Sequence, residues 1–223
     1  LPHTEGVDEL TKLSREGYLF LKANEIERAE AEFKKMLELD ENNNYALVGL
    51  GDAARKRNKC KEAAEYYSEW LRHHPGNNYA LFGLADCYRG MNQQQYSIKY
   101  WEAILNKDPN NKVILTRMGD AYRHIGDYEM AEKTYQRALD IDYDSYAILG
   151  LAILCKIQGK YGEAITSLTH LMQSDRKNYR IYLELADCYI HANEKPKAIE
   201  VLQSFQQYGI KNQAISDLLV TLT

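Results

Sequence analysis

The chain has 223 residues, room for one large domain or two small ones. Its 45% hydrophobic and 27% charged residues are the balance of a soluble globular protein. A formal net charge of -4 lacks the basic excess of a nucleic-acid binder, although a groove can carry a sign of its own.

The chain opens on LPHTEG, with no Met and no apolar stretch of signal-peptide type. It is therefore expected to be a processed or trimmed form. Residues 1–9 read as a polar lead-in. The longest apolar run, Tyr146 to Cys155, is ten residues. A membrane-spanning helix needs roughly 20, so no span is expected.

From residue 10 the chain repeats itself. "NNYALVGLGD", Asn43 to Asp52, returns as "NNYALFGLAD", Asn77 to Asp86, 34 residues later and changed at two positions of ten. The period continues through units 10–43, 44–77, 78–111, 112–144, 145–178 and 179–212, the fourth one residue short. Each unit carries two bursts of helical apolar spacing, such as "YALFGLADCYRGM" and then "YSIKYWEAIL". The break between them holds Gly126 and Gly159, suited to a helix C-terminus. In the last unit Pro196 falls in the first turn of the second helix, where a missing N–H costs little.

Counted from the start of each unit, position 8 is Gly17, Gly51, Ala85, Gly119, Ala152 and Ala186. Position 20 is Ala29, Ala63, Ser97, Ala131, Ala164 and Ala198. These small residues let the two helices approach closely. Position 24, Phe33, Tyr67, Trp101, Tyr135, Leu168 and Leu202, fills the gap towards the next pair. No unit buries both faces alone, so stacking has to complete the core. Residues 213–223 place Ile215, Leu218, Leu219 and Leu222 at helical spacing, a capping helix or the start of a seventh repeat.

Six tandem units of this pattern resemble the tetratricopeptide repeat family over residues 10–212. The resemblance implies an all-α, right-handed superhelical solenoid. It also implies that the first helix of each unit lines a concave groove through positions 2, 5, 9, 12 and 13. Position 2 is Tyr45, Tyr79, Val113 and Tyr146. Position 9 is Asp52, Asp86, Asp120, then Ile153, then Asp187. Position 12 is Arg55, Arg89, Arg123 and Lys156.

Two readings of this set stand side by side. Asp and Arg three residues apart on a helix pair with one another for roughly 0.2–0.5 kcal/mol. Alternatively they form a ladder of acceptors and guanidinium forks, edged by tyrosines, that holds a peptide of mixed charge with apolar anchors. The chaperone-tail clamp known in the family is not expected. It uses Lys at position 5, which here is Ser14, Val48, Phe82, Thr116, Leu149 and Leu183, and the Asp residues would repel an acidic tail.

No catalytic or cofactor motif appears. "QGKYG" lacks the Ser or Thr of a phosphate loop. The six histidines make no HxxxH pair, and Cys60, Cys87, Cys155 and Cys188 lack CxxC spacing. A metal site, a cofactor and an enzymatic activity are therefore not expected. Free cysteines and no visible signal peptide favour the cytoplasm. The expected function is a protein-interaction scaffold, a monomer or weak homo-oligomer. The alternatives are a self-association module or the accessory region of a larger enzyme or secretion complex.

Overall fold

The structure, a computed structural model, describes residues 3–223, with side chains from residue 8 onward. The described residues form thirteen helices and no strand. They fall into two compact units, divided after Pro109.

The first unit holds α1 (His3–Lys22), α2 (Ile26–Leu39), α3 (Asn44–Lys56), α4 (Cys60–His73), α5 (Asn78–Gly90) and α6 (Gln94–Leu105). The second holds α7 (Lys112–His124), α8 (Tyr128–Ile141), α9 (Ser145–Ile157), α10 (Tyr161–Ser174), α11 (Tyr179–His191), α12 (Lys195–Gln206) and α13 (Gln213–Leu222). Helix α1 starts at His3, so the polar segment read as a lead-in is helical from there on. Its helix is held by Leu10 and Leu13, which pack on the core that α1, α2 and α3 share.

The turns explain the period. Between the helices of each pair, Asn24, Asn58, Asn92 and Asn193 take φ near +60°, and Gly126 and Gly159 take φ +84° and +76°. All six stand at position 15 of their units. This left-handed conformation suits Gly, and Asn next best. A second rule starts the next pair. Asn43, Asn77, Asn111, Asp144, Asn178 and Asn212 each cap the following helix, their side chains accepting one or two of its first free N–H groups. Such a cap contributes about 1 kcal/mol.

Packing follows from ring size. Every residue at position 24 is fully buried. Tyr67 lies between Gly51 of its own pair and Gly83 of the next, and Tyr135 lies likewise between Gly119 and Gly150. A β-carbon on Gly51 would come within 2.8 Å of the Tyr67 ring, and one on Gly119 within 2.5 Å of Tyr135. Phe33 has the same two glycine neighbours, Gly17 and Gly49. Each of these rings thus binds two consecutive helix pairs together. At the C-terminal end, α13 buries Ile215 and Leu219 in the core formed with α9 to α12, and leaves Val220 78% exposed.

The four cysteines are free. Burial pushes the Cys87 thiol up to about 12, with Cys60 nearby adding to the shift, and burial pushes Cys188 up to about 11. Neither forms the reactive thiolate near neutral pH. We expect a thiol reagent at pH 8 to leave Cys87 and Cys188 unmodified in the folded chain. All four should titrate once the chain is unfolded without reductant. A count below four in the unfolded chain would show a disulfide and contradict this.

Candidate functional site: the tyrosine-edged face of the first helices

Helices α3 and α5 present equivalent faces, because "YALVGLGD" and "YALFGLAD" pack the same way twice. Tyr45 and Tyr79 emerge in their first turns, 66% and 53% exposed. Two turns further along α3, the Asp52 carboxylate accepts two phenols. Tyr67 donates to its Oδ1 at 2.5 Å and Tyr79 to its Oδ2 at 2.7 Å. Tyr67 is in the core, so its hydroxyl needs an acceptor there, and Asp52 supplies it. Burial, with the Asp52 charge second, holds the Tyr67 phenol far above its ordinary range. Burial and then the Asp52 hydrogen bond push Tyr79 up to about 12.

The second unit has a matching arrangement. Tyr135 donates to Asp120 Oδ1 at 2.5 Å. Arg123 donates to the same carboxylate at 3.2 Å through Nη2 and to the Tyr135 oxygen at 3.3 Å through Nε. Where position 24 is Leu168, with no hydroxyl to satisfy, position 9 is the apolar Ile153.

The Asp and Arg residues singled out by spacing do meet, but not all as i, i+3 pairs. Arg89 pairs with Asp86 at 3.3 Å and Arg123 with Asp120 at 3.2 Å. Arg55 instead reaches Asp86 of the next pair at 3.2 Å. Asp52 is engaged by Tyr67 of its own pair and Tyr79 of the next, while Asp86, whose repeat has Trp101 at position 24, offers its carboxylate to Arg55. Lys156 likewise crosses to the next pair, reaching Glu184 at 2.6 Å and Asp187 at 2.5 Å. These two carboxylates outweigh burial, which opposes the charge, and leave the Lys156 pKa raised. Asp187 also meets His191 Nδ1 at 3.2 Å, and His191 stacks on Tyr161. Tyr146 stands 63% exposed at the start of α9.

In the first unit the face deepens into a cleft of about 610 Å³. It is lined by Ser14, Tyr18, Asn44, Tyr45, Val48, Asp52, Trp70, Asn77 and Tyr79. The Tyr18 phenol donates to the Tyr45 carbonyl at 3.0 Å, which fixes its ring. Trp70, from the end of α4, packs against Tyr79 with ring centres 6.4 Å apart. Sequence reasoning missed Tyr18 and Trp70. Tyr18 occupies position 9 of the first unit, where the Asp pattern had not begun, and Trp70 belongs to a second helix rather than a first.

Among the described residues, no group of three or more His, Cys, Asp or Glu could hold a metal ion. None of their helices is long and apolar enough to cross a membrane.

Four family models, all described as tetratricopeptide repeat, match residues 14–78 and 49–93, 79–111, 114–145, and 157–208. No curated protein matches the sequence. Among solved structures, a tetratricopeptide repeat protein from Parabacteroides merdae is similar at TM-score 0.78 and 20% identity, over 96% of this chain and 99% of that one. PilF of Pseudomonas aeruginosa matches at TM-score 0.72 and 14% identity, over 97% and 99%. YrrB, described as a repeat protein with an unusual peptide-binding site, matches at TM-score 0.59 and 16% identity, over 78% and 91%. At these identities the likeness is one of fold.

Proposed function

This chain belongs to the tetratricopeptide repeat family and is a scaffold for protein–protein interaction; from that premise we propose that it holds a peptide segment of its partner on the tyrosine-edged face of its first helices. The supporting observation is the cleft beside α3 and α5. Two of its rings are held in place, the exposed Tyr79 by its hydrogen bond to Asp52 and the half-buried Tyr18 by its bond to the Tyr45 carbonyl. Large apolar surfaces fixed before binding lose little side-chain entropy when a partner covers them. The peptide-binding site of YrrB is a use of the same fold in another protein.

The roles within this face divide. Tyr45 and Tyr79 are the contact residues of the first unit, and Tyr146 holds the equivalent position in the second. Asp52 and Asp120 hold core phenols and fix the backbone they sit on. Arg89, about half exposed, is the charged contact of the first unit, and Lys156 is held internally by Glu184 and Asp187. Arg55 and Arg123 are tied up internally, with Arg123 only 14% exposed and bonded to Tyr135. Replacing Arg123 therefore disturbs packing as well as any contact.

A displayed library of random peptides, selected on the immobilised chain, tests the reading. Tyr45→Ser with Tyr79→Ser is expected to weaken the best selected peptide at least tenfold, about 1.4 kcal/mol. Lys99→Ala with Lys133→Ala, on second helices, should leave affinity unchanged. Equal affinity in the tyrosine variant, or loss in the lysine variant, would place the binding face elsewhere. The self-association alternative has one favouring feature, the exposed Val220 on α13. A molecular mass that rises with concentration, and no longer rises in Val220→Lys, would support it.

A further inference from the structure

The cleft has a chemical preference that the mixed charge of the whole face hides. We propose that it seats an alkylammonium group, a lysine side chain of the bound peptide, among the rings of Tyr18, Tyr45, Trp70 and Tyr79 and opposite the Asp52 carboxylate. This rests on the reading of that face as peptide-binding.

Three observations carry it. First, four aromatic side chains and one carboxylate line the same cleft, and among the described lining residues there is no Lys, Arg or His. An aromatic face is negative at its centre and attracts a cation within about 6 Å. Second, neither neighbouring base of α3 lines the cleft. Arg55 lies behind Asp52, held by Asp86 and by the Tyr67 phenol, and Lys56 bonds the Leu21 carbonyl at 2.6 Å. Arg15 lines the adjoining hollow instead. Third, Tyr67 and Tyr79 take one position on each Asp52 oxygen. An ionised carboxylate has about four such positions in all, so it retains acceptor capacity for an ammonium. The negative charge is felt in the cleft. After burial, Asp52 is the next cause that holds the Tyr18 phenol above its ordinary range.

A carboxylate on the peptide would meet Asp52 in a half-enclosed, partly dehydrated space and be repelled. A neutral aliphatic chain would gain the ring contacts and lose the charge. A lysine gains both: its methylene stem lies along the rings while its head faces Asp52.

The chain has two tryptophans, so its two indole N–H signals give a built-in comparison. Trp70 lines the cleft and Trp101 is fully buried in the core. The ¹⁵N-labelled chain would be titrated with N-acetyl-lysine methylamide, then with the norleucine, arginine and glutamate analogues. Trp70→Phe assigns the signals. The lysine compound is expected to shift the Trp70 signal saturably and leave Trp101 still. Norleucine and glutamate should bind at least fivefold more weakly. Asp52→Asn, which keeps an acceptor for Tyr67, should abolish the preference for lysine over norleucine. Tyr45→Leu, at an exposed position, should weaken lysine binding with the Trp101 signal unmoved. Norleucine binding as well as lysine, or lysine preference surviving in Asp52→Asn, overturns the cation seat while leaving the peptide face standing. A stronger shift by the arginine compound overturns the lysine assignment in favour of a guanidinium. No shift by any compound overturns the seat, and the library selection then judges the face independently.

Discussion

Gly119→Leu is expected to destabilise the second unit by about 3 kcal/mol, at the upper end of the cost of overpacking a core. A β-carbon there already meets the Tyr135 ring at 2.5 Å, and that ring is closed on its other side by Gly150. The ring has no direction in which to move without parting α7 from α8 or α8 from α9. The melting temperature should fall by roughly 10 °C. Two glycines grade the comparison. Gly209 has open space around it but φ +69°, so Gly209→Leu costs about 1 kcal/mol of backbone strain. Gly162, in the first turn of α10, has open space and no such backbone constraint, so Gly162→Ala should be neutral or gain about 0.5 kcal/mol. If Gly119→Leu melts with the Gly162 variant, Tyr135 is not the tight point of the packing.

Asp120→Ala should cost about 2 kcal/mol, because it strands the Tyr135 hydroxyl as a buried donor. Adding Tyr135→Phe removes that donor and should recover most of the loss. The double variant then costs much less than the sum of the two single ones, as coupled neighbours require. Chemical denaturation of the four proteins closes the cycle. Simple additivity would mean that Asp120 does not serve the core phenol. Its place on the face would then have to be explained by contact with a partner.

The fold was legible because it is written in volume. Small residues at positions 8 and 20 and large ones at position 24 recur whatever their polarity, and volume can be read from a single letter. The donors and acceptors were harder. The Asp at position 9 looks like half of a surface ion pair, since Arg follows three residues later. For Asp52 and Asp120 the closer tie is to a tyrosine fifteen residues on, in the other helix of the pair. Ile153 stands where Leu168 has no hydroxyl to satisfy, but Asp86 with Trp101 and Asp187 with Leu202 break the correlation, so the sequence did not display it. Spacing along one helix does not expose a correlation between two helices. The helix caps were in plain view as Asn43, Asn77, Asn111, Asp144, Asn178 and Asn212, but a pattern sought among apolar residues passes over them. Trp70 escaped for a third reason. It lies at position 27, and no other unit has a tryptophan there, so periodicity had nothing to amplify.

The ring sockets also set how the chain would respond to being pulled. Phe33, Tyr67 and Tyr135 each hold one helix pair to the next, and each socket is made only of those two neighbours. Within the first unit, a tether drawn from the N-terminal end peels the helix pairs one at a time, so its load falls on the outermost socket. The terminal one fails first and leaves those behind it intact. Each failure frees a pair of about 34 residues, roughly 110–120 Å of extended strand. A force trace should therefore climb in short, similar teeth, the signature of a zipper opening link by link.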